Sequence, residues 1–327
     1  MSILVTGGAG YIGSTVCSIL TKAGRSVIVY DNLCNGHEAA LPSGVEFIKG
    51  DVSDRAKLES VFKSKQVKSV IHLAAFIDAN ESIKTPERYF RNNINNSLNL
   101  IEAMLSTSVK QLVFSSTAAV YGNTNLNPIK EETSFGPTNA YGESKASVEK
   151  MLKWFNQSHG LRCAILRYFN AAGAESENRG EDHNPESHLI PTALKVALGK
   201  IPKLELFGTN YDTPDGSCIR DYIHVIDLAN AHILALDALK ECDCLTYNLG
   251  NGRGYSVREV IKTVNQITGR SIPIVEVEKR PGDPPILVAS SDKIQKELNW
   301  KLKFPSLESI ISSAWKWHSK NPKGYLN

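Results

Sequence analysis

The stretch Thr6-Gly7-Gly8-Ala9-Gly10-Tyr11-Ile12-Gly13 follows a short apolar run at residues 3–5 and opens the first helical pattern of the chain. Its glycines, Gly7, Gly10 and Gly13, let the backbone turn tightly, approach a pyrophosphate and pack a helix against a strand. Tyr11 and Ile12 lie where the free amides of that helix would face the phosphates. A glycine triplet alone could be a flexible turn. The strand before it and the helix after it favour a dinucleotide-binding turn.

The rest of the first half alternates in the same way. Short runs rich in β-branched residues are separated by stretches with apolar residues at helical spacing, such as 88–105 and 144–155. The predicted strands are residues 3–6, 27–30, 45–49, 70–74, 111–115 and 164–168. Strands this apolar form parallel sheets covered on both faces. We therefore predict an α/β fold with a doubly wound, Rossmann-like parallel sheet of six or seven strands.

The rhythm changes after residue 168. Residues 173–185 are polar and rich in Glu, Asn and Gly, and the elements beyond them are shorter, with frequent proline and glycine. We predict two domains, a dinucleotide-binding domain at 1–170 and a smaller mixed α/β substrate domain at 171–327. Some segments of the second are expected to return and pack on the first.

Composition excludes several classes of protein. With 42% hydrophobic and 22% charged residues, the 327-residue chain is typical of globular proteins, and a net charge of +3 argues against nucleic acid binding. No apolar run suits a membrane span, and the immediate first strand leaves no room for a signal peptide. The six cysteines show no disulfide framework, so we expect reduced thiols and a cytoplasmic protein. His183 and His188, near Asp182, lack a compact ligand spacing, so we predict no metal.

Asp31 follows the second predicted strand. A carboxylate at this position accepts hydrogen bonds from both ribose hydroxyls and repels a 2′-phosphate, which favours NAD over NADP. The alternative is that Asp31 only caps a loop. Asp51 and Val52, after the third strand, are placed to edge the adenine.

A second motif suggests chemistry at the sheet edge. Tyr141 and Lys145 lie four residues apart and share one face of a predicted helix. A phenol has an ordinary pKa near ~10, and a fixed ammonium beside it favours the phenolate. The fifth strand ends at Ser115-Ser116-Thr117, at the edge where α/β sheets bind ligands. We predict that Thr117, Tyr141 and Lys145 converge there, rather than being a solvated helix face and a capping cluster.

A hydroxyl residue with Tyr-x-x-x-Lys beside a dinucleotide turn resembles the extended branch of the short-chain dehydrogenase/reductase family. The resemblance implies NAD as cofactor and further cofactor contacts from Asn32, Asn35, Ala74, Ala75, Asn93, Ser115 and Tyr168, besides Tyr141 and Lys145. Ile77 stands where many of these enzymes carry a lysine near the cofactor. One phosphate contact is therefore expected to be missing.

The second half is similar to the nucleotide-sugar epimerases within that branch. The segments that carry the resemblance are Arg167-Tyr168-Phe169-Asn170, Arg220-Asp221-Tyr222-Ile223-His224-Val225 and Arg280-Pro281-Gly282-Asp283. Arg220 and Arg280 have a fork geometry suited to diphosphate oxygens, and Asn170 can donate its amide to them. A single arginine would otherwise be interpreted as a surface ion pair. The resemblance implies further substrate contacts from Thr117, Tyr141, His188, Leu189, Leu206, Phe207, Tyr222, Asp283 and Leu287.

The resemblance implies inversion at C4 of a UDP-hexose. Tyr141 would take the proton of the 4-hydroxyl while the C4 hydride passes to NAD⁺, and the transient 4-keto sugar would turn and recover both. Lys145 would stabilise the phenolate and Thr117 would orient the 4-oxygen. Leu287 is intermediate between the aromatic residue that excludes N-acetylated sugars and the small residue that admits them. UDP-glucose and UDP-galactose are therefore expected first.

Several alternatives remain. Another nucleotide-sugar 4-epimerase, for UDP-N-acetylhexosamines or UDP-pentoses, has the same motifs. A 4,6-dehydratase needs an Asp-Glu pair after the threonine, where this chain has Ala118 and Ala119. A catalytically inactive NAD-binding regulator is disfavoured because Thr117, Tyr141 and Lys145 are all present. The resemblance also suggests a homodimer, although the apolar positions in 88–105 and 144–155 could serve the core instead.

Overall fold

The structure is a computed structural model, and it describes residues 2–280 and 283–325. Its strands are β1 (Ser2–Thr6), β2 (Ser26–Asp31), β3 (Glu46–Lys49), β4 (Val67–His72), β5 (Gln111–Thr117), β6 (Arg162–Tyr168), β7 (Asn170–Ala172), β8 (Leu204–Phe207), β9 (Ile219–His224), β10 (Cys244–Leu249), β11 (Gly254–Ser256), β12 (Ile274–Val277) and β13 (Ile286–Leu287). Its α-helices are α1 (Tyr11–Lys22), α2 (Arg55–Ser64), α3 (Ala79–Lys84), α4 (Pro86–Tyr89), α5 (Asn96–Ser106), α6 (Ala140–His159), α7 (Leu189–Ala197), α8 (Val225–Ala238), α9 (Val257–Thr268), α10 (Asp292–Leu298) and α11 (Leu307–Lys320).

The largest sheet has seven strands in the order β10-β6-β5-β4-β1-β2-β3, and every pairing in it is parallel. Alternate side chains of these strands enter two separate apolar cores. One core packs against α1 and α8, and the other packs against α2, α5 and α6. Because both faces are covered, the central strands carry mostly apolar side chains on both sides of the sheet. The predicted doubly wound parallel sheet is confirmed.

Two element predictions needed adjustment. The predicted helix at 88–105 is divided, because a π-helical turn at Phe90–Asn95 separates α4 from α5. The seventh strand, β10, comes from the second half of the chain and pairs with β6, with Cys244 opposite Cys163. Its packing partner α8 also comes from the second half. Segments after residue 170 thus complete the first sheet, while the division at 170 itself stays a prediction.

The remaining elements form a smaller unit around short strands. Strand β9 pairs with β7, β11 and β13, and β8 pairs with β12. A third apolar core joins α7, α9 and α11 beneath them. Between Ala172 and Leu189 the chain forms no helix or strand, as expected for its polar composition. None of the described helices has both the length and the apolar character needed to cross a membrane.

Candidate active site

The glycine turn joins β1 to α1 at the carboxyl edge of the sheet. Gly10 is the N-cap of α1 and offers no capping side chain, so the first amides of the helix are left for an external acceptor. Gly7 has a φ of +71°, which an L-side chain rarely adopts. A Cβ on Gly13 would lie 2.1 Å from the Gly7 carbonyl oxygen. The backbone therefore forms a tight cradle that suits a phosphate group.

The turn opens onto a cleft of about 710 Å³. The predicted cofactor residues that line it are Gly7, Gly10, Tyr11, Ile12, Gly13, Asp31, Asn32, Asn35, Asp51, Val52, Ala74, Ala75, Ser115, Tyr141 and Tyr168. Four predicted substrate residues lie in the same cleft, namely Thr117, Asn170, His188 and Tyr141, which was also predicted to contact the cofactor. Most of the predicted cofactor set thus surrounds one cavity, large enough for a small-molecule ligand.

Asp31 ends β2 and is 8% exposed. Its two carboxylate oxygens accept hydrogen bonds from the amides of Ala9 (3.0 Å) and Leu33 (2.8 Å). Each oxygen has a second lone pair, so the side chain can also accept from ribose hydroxyls. Burial raises the pKa of Asp31, and the two amides lower it. The carboxylate is held in place as the ribose prediction requires, and it also organises the loop, as in the alternative interpretation.

Asn93 was predicted to contact the cofactor, but its side chain lies behind the cleft wall. It is 2% exposed and donates to the Ser144 hydroxyl and the Phe76 carbonyl, both at 3.0 Å. Its amide oxygen accepts from the Phe76 amide. The side chain therefore links α6 to the loop after β4 and does not line the cleft.

Thr117 and Tyr141 meet at the end of β5. The Asn139 side chain caps α6 by accepting from the Gly142 amide, which fixes the helix start beside the strand end. Burial raises the pKa of the Tyr141 phenol, and a hydrogen bond with Thr117 lowers it in part. The two hydroxyls are thus adjacent in the cleft and can share one ligand oxygen.

Lys145 lies one helical turn after Tyr141 and is 3% exposed. Its Nζ donates to the Ser115 carbonyl at 2.8 Å and lies 4.9 Å from the Phe114 ring centroid. Burial lowers the pKa of Lys145 to about 7, and the Glu149 carboxylate opposes this shift. The role of Lys145 in favouring the Tyr141 phenolate stays a prediction.

Glu149 belongs to a buried network that the sequence did not indicate. Its carboxylate is fully buried and pairs with Arg167 at 2.7 Å. Arg167 also donates to the Tyr121 hydroxyl at 2.7 Å, and the Ser116 hydroxyl bonds to Glu149. The network joins α6 to β5 and β6 directly behind the paired hydroxyls. It holds the catalytic helix against the sheet.

The predicted phosphate-binding arginines are occupied by protein partners. Arg220 pairs with Asp283 at 2.8 Å, and Arg280 stacks over the Phe207 ring at 3.8 Å. Asn170 donates one amide hydrogen to the Asp221 carbonyl at 2.7 Å. Of the motif around Arg280, Pro281 and Gly282 lie outside the described residues. Arg220 and Arg280 are close to other predicted substrate residues but do not line the cleft.

Several predicted substrate residues have buried or partly buried side chains that pack among apolar residues, and their roles in substrate binding stay predictions. Leu206 is fully buried, since the alternation along β8 turns it inward and leaves Phe207 partly exposed. Tyr222 is 5% exposed and belongs to the third core, against which Leu189 also packs. Leu287 instead packs beside Ala118 and Phe169, and Phe169 lines the cleft.

Other cleft residues were missed by the sequence analysis. They include Phe76, Asp78, Arg88, Phe169, Glu181, His183, Asn184, Pro185 and Ser187. Ile77 also lines the cleft and is 45% exposed. His224 is fully buried and contacts the Ser313 hydroxyl at 2.9 Å, in agreement with a structural histidine. Burial lowers its pKa to about 4.

Comparison with known proteins was informative at the level of sequence and of fold. The NAD dependent epimerase/dehydratase family matches residues 3–250. A UDP-glucose 4-epimerase from Halalkalibacterium halodurans is 51% identical over 327 residues, which are 99% of this chain and 98% of that protein. A UDP-glucose 4-epimerase crystal structure has a TM-score of 0.98 at 47% identity and covers 100% of both chains. The Bifidobacterium longum UDP-glucose 4-epimerase in complex with NAD⁺ and UDP has a TM-score of 0.95 at 38% identity, covering 99% of this chain and 100% of that one.

Proposed function

The chain belongs to the NAD dependent epimerase/dehydratase family, and from this membership we propose that it is an isomerase that interconverts UDP-glucose and UDP-galactose. One observation carries the proposal. The hydroxyls of Thr117 and Tyr141 adjoin each other in a cleft whose glycine turn fits a dinucleotide. A 4-hydroxyl placed between them can lose its proton to the phenol oxygen. NAD, when bound, accepts the hydride from C4 and returns it to the opposite face.

Tyr141 is proposed as the acid/base. Its oxygen takes the proton of the 4-hydroxyl in one half of the cycle and returns it in the other. Thr117 is proposed to hydrogen-bond the same sugar oxygen, which keeps the 4-oxygen within reach of the phenol. Lys145 is proposed to hold the cofactor ribose, with its Nζ fixed by the Ser115 carbonyl.

Inversion requires the sugar to turn while the nucleotide stays bound. Arg220, Arg280 and Asn170 are proposed to bind the diphosphate, although their described partners must be shared or exchanged for that. Asp283 and Phe207 would then be released or would contact the substrate. The side chain of Leu206 is buried, so we propose that Leu206 contacts the substrate through its backbone alone.

The 4,6-dehydratase alternative remains disfavoured. The turn after Thr117 is the short 3-10 helix Ala118–Val120, with Ala118 buried. Neither Ala118 nor Ala119 carries a group that can move a proton. The cleft does contain Asp78 and Glu81, but Asp78 caps α3 and Glu81 is bonded to Arg88 and Tyr89.

The decisive experiment is conversion of UDP-galactose by purified protein, measured by a coupled assay for UDP-glucose. Tyr141→Phe removes only the hydroxyl and should abolish turnover while NAD stays bound. Tyr255→Phe, in β11 and outside the cleft, serves as the matched control and should keep normal activity. If the unaltered protein yields no UDP-glucose from UDP-galactose, the proposed function is wrong.

We also propose a cytoplasmic homodimer. Trp154 on α6 is 70% exposed and Phe90 is 38% exposed, and large apolar side chains of this kind are common at interfaces. The six cysteines are all free thiols, as suits a reducing compartment. Light scattering should give the mass of two chains. Trp154→Glu should shift the mass towards one chain, and an unaltered mass of one chain in the wild type would contradict the dimer.

A further inference from the structure

A cluster of two glutamates and two histidines lies on the segment between β7 and α7, at one wall of the cleft. Its members are Glu181, His183, Glu186 and His188, and one ligand atom from each lies within 4.8 Å of all the others. Both imidazoles point Nδ1 towards carboxylate oxygens. His188 Nδ1 lies 3.0 Å from Glu181 Oε1 and 3.0 Å from Glu186 Oε1. The four side chains therefore converge on one point.

Two buried atoms at that point lack a hydrogen bond. Among the described residues, His183 Nδ1 and Glu186 Oε2 have no hydrogen-bond partner. His183 Nδ1 lies 3.3 Å from Glu181 Oε1 and 3.8 Å from Glu186 Oε2. The Glu186 side chain is only 4% exposed. Leaving a carboxylate oxygen buried without a partner is costly, so the pair points to a missing group between them.

The spacing of these atoms suits a four-coordinate cation. Zinc bonds to imidazole nitrogen and carboxylate oxygen at about 2.0–2.2 Å, and tetrahedral bonds of this length place neighbouring ligand atoms about 3.3–3.6 Å apart. Four separations within the cluster are 3.0, 3.0, 3.3 and 3.8 Å, with Glu186 contributing Oε1 to one and Oε2 to another, and they lie around that range. Two carboxylates and two neutral imidazoles carry a charge of −2, which one divalent cation balances.

The protein scaffold holds the ligands in place before any cation binds. The Trp317 indole of α11 donates to the Glu181 carbonyl at 3.1 Å. The amides of Ser187 and His188 donate to Glu186 Oε1 at 3.0 and 2.9 Å, which aims Oε2 at the centre. The Thr192 hydroxyl binds the His188 carbonyl at 2.6 Å and ties it to α7. Outer contacts of this kind orient metal ligands in known sites.

We propose that Glu181, His183, Glu186 and His188 bind a divalent transition-metal cation of the zinc type, outside the reaction itself. Mixed imidazole and carboxylate donors favour such an ion over Mg²⁺ or Ca²⁺, which prefer oxygen ligands alone. The cation would hold residues 181–188 between α7 and α11, and six residues of this segment line the cleft. Its loss loosens that wall of the cleft. No metal was predicted from the sequence because the possible ligands lack a compact spacing along the chain. The path of the chain at 183–186 nevertheless brings the four side chains together, so the spacing no longer argues against a metal.

The competing explanation is protonation of both imidazoles. Burial opposes their charging, but the carboxylates of Glu181 and Glu186 raise the pKa of His183 to about 9 and that of His188 to about 10. Two imidazolium ions would balance the carboxylates without a metal. In this arrangement His183 Nδ1 forms ion pairs with Glu181 Oε1 at 3.3 Å and Glu186 Oε2 at 3.8 Å, and neither contact has the geometry of a hydrogen bond, whereas a cation would bond to His183 Nδ1 and Glu186 Oε2 directly.

Cobalt substitution tests the proposal. Purified protein is dialysed against a chelator and titrated with Co²⁺, whose four-coordinate complexes absorb visible light far more strongly than six-coordinate ones, and with Zn²⁺ in competition. The expected result is one Co²⁺ per chain with an intense visible band that Zn²⁺ abolishes. Glu186→Gln and His183→Gln should weaken the affinity more than about 100-fold, since even outer-shell partners contribute 10–100-fold. His159→Gln, an exposed histidine on α6, should bind as the wild type does.

Circular dichroism checks that the variants fold. The visible spectrum of the wild type with Co²⁺ tests the proposal even if a variant does not fold. Zn²⁺ should raise the thermal midpoint of the wild type and of His159→Gln but not that of Glu186→Gln. Wild-type protein that takes up no Co²⁺, or shows only a weak six-coordinate spectrum, overturns the proposal. Equal binding by the wild type and both cluster variants also overturns it. None of these outcomes depends on turnover, so failure here is distinct from failure of the proposed epimerase activity.

Discussion

Replacing Glu149 with glutamine should shift the pH dependence of the enzyme's activity without changing any residue that lines the cleft. Glu149 is a fully buried residue of the catalytic helix α6, one turn after Lys145. Burial lowers the pKa of Lys145 to about 7, and the Glu149 carboxylate is the group that opposes this shift. Glu149→Gln keeps the shape of the side chain and removes its charge. The pKa of Lys145 should therefore fall further.

The size of this effect follows from the geometry of the helix. Side chains at i and i+4 have Cβ atoms about 6 Å apart, and two unit charges at that distance interact by about 3 kcal/mol at an effective dielectric constant near 20. One pKa unit corresponds to about 1.4 kcal/mol, so the upper limit is a fall of about two units. We expect a fall of about one unit or somewhat more.

The direction of the pH effect depends on which protonation state of Lys145 is active. If Lys145 acts as an ammonium, activity is present below its pKa and is lost as the pH rises through it. A lower pKa therefore moves the alkaline loss of kcat/KM to lower pH. Above both pKa values, a fall of one unit reduces the protonated fraction, and with it kcat/KM, about tenfold.

The assay is kcat/KM for UDP-galactose from pH 5.5 to 9 for the wild type, Glu149→Gln and Glu143→Gln. Glu143 lies on the same helix but not on the same face as Lys145, so its variant should retain the wild-type profile. Urea unfolding accompanies the assay, because leaving Arg167 buried without its partner should lower the free energy of unfolding by about 3–5 kcal/mol. A Glu149→Gln protein that is destabilised but keeps the wild-type pH profile refutes the reasoning.

Three further predictions concern the cleft. Gly13→Ala should weaken NAD binding more than about tenfold by fluorescence titration, because its Cβ would lie 2.1 Å from the Gly7 carbonyl oxygen, whereas Gly10→Ala, whose Cβ meets nothing nearer than 3.3 Å, should cost less. Ile77→Lys should tighten NAD binding about two- to fivefold at low salt and lose this gain at high salt, since the position is 45% exposed; no gain at low salt would contradict a phosphate contact there. Leu287→Ala should raise kcat/KM for UDP-N-acetylgalactosamine relative to UDP-galactose about tenfold or more, and an unchanged ratio would exclude a gating role for this residue.

Local pattern was sufficient to predict most of the fold. The glycine turn and the apolar strands each reflect a local requirement. The turn must form a cradle for phosphate, and the strands must be covered on both faces of the sheet. Six strands were predicted from this local pattern. The strand β10 was not, because Cys244–Leu249 is no more apolar than many surface strands. Its membership of the sheet depends on pairing with β6, some 80 residues earlier. The π-helical turn at Phe90–Asn95 has no local signal either.

The residues of the candidate site likewise differ in whether the sequence could predict their positions. Thr117, Tyr141 and the glycine turn could be predicted because each occupies a fixed position at the end of a strand or the start of a helix. The burial of Leu206 could not be predicted, because strand alternation decides which side chain faces inward and a shift of one residue reverses the answer. Lys145 donates to the Ser115 carbonyl and Arg220 pairs with Asp283, and a sequence pattern does not report such pairing between separate segments of the chain.

The pKa of Tyr141 shows what the protein alone cannot supply. Burial raises it, the hydrogen bond with Thr117 lowers it in part, and burial also lowers the pKa of Lys145 to about 7. Burial thus favours the neutral phenol, whereas the acid/base role proposed for Tyr141 needs the phenolate. The positive charge of a bound oxidised nicotinamide would favour that phenolate, and reduction of the cofactor would remove the charge. In the proposed role, Tyr141 would therefore hold its proton more tightly while the cofactor is reduced, which couples its proton affinity to the redox state of the cofactor. The buried position of Tyr141 makes this coupling strong, since charges interact more strongly where water is excluded.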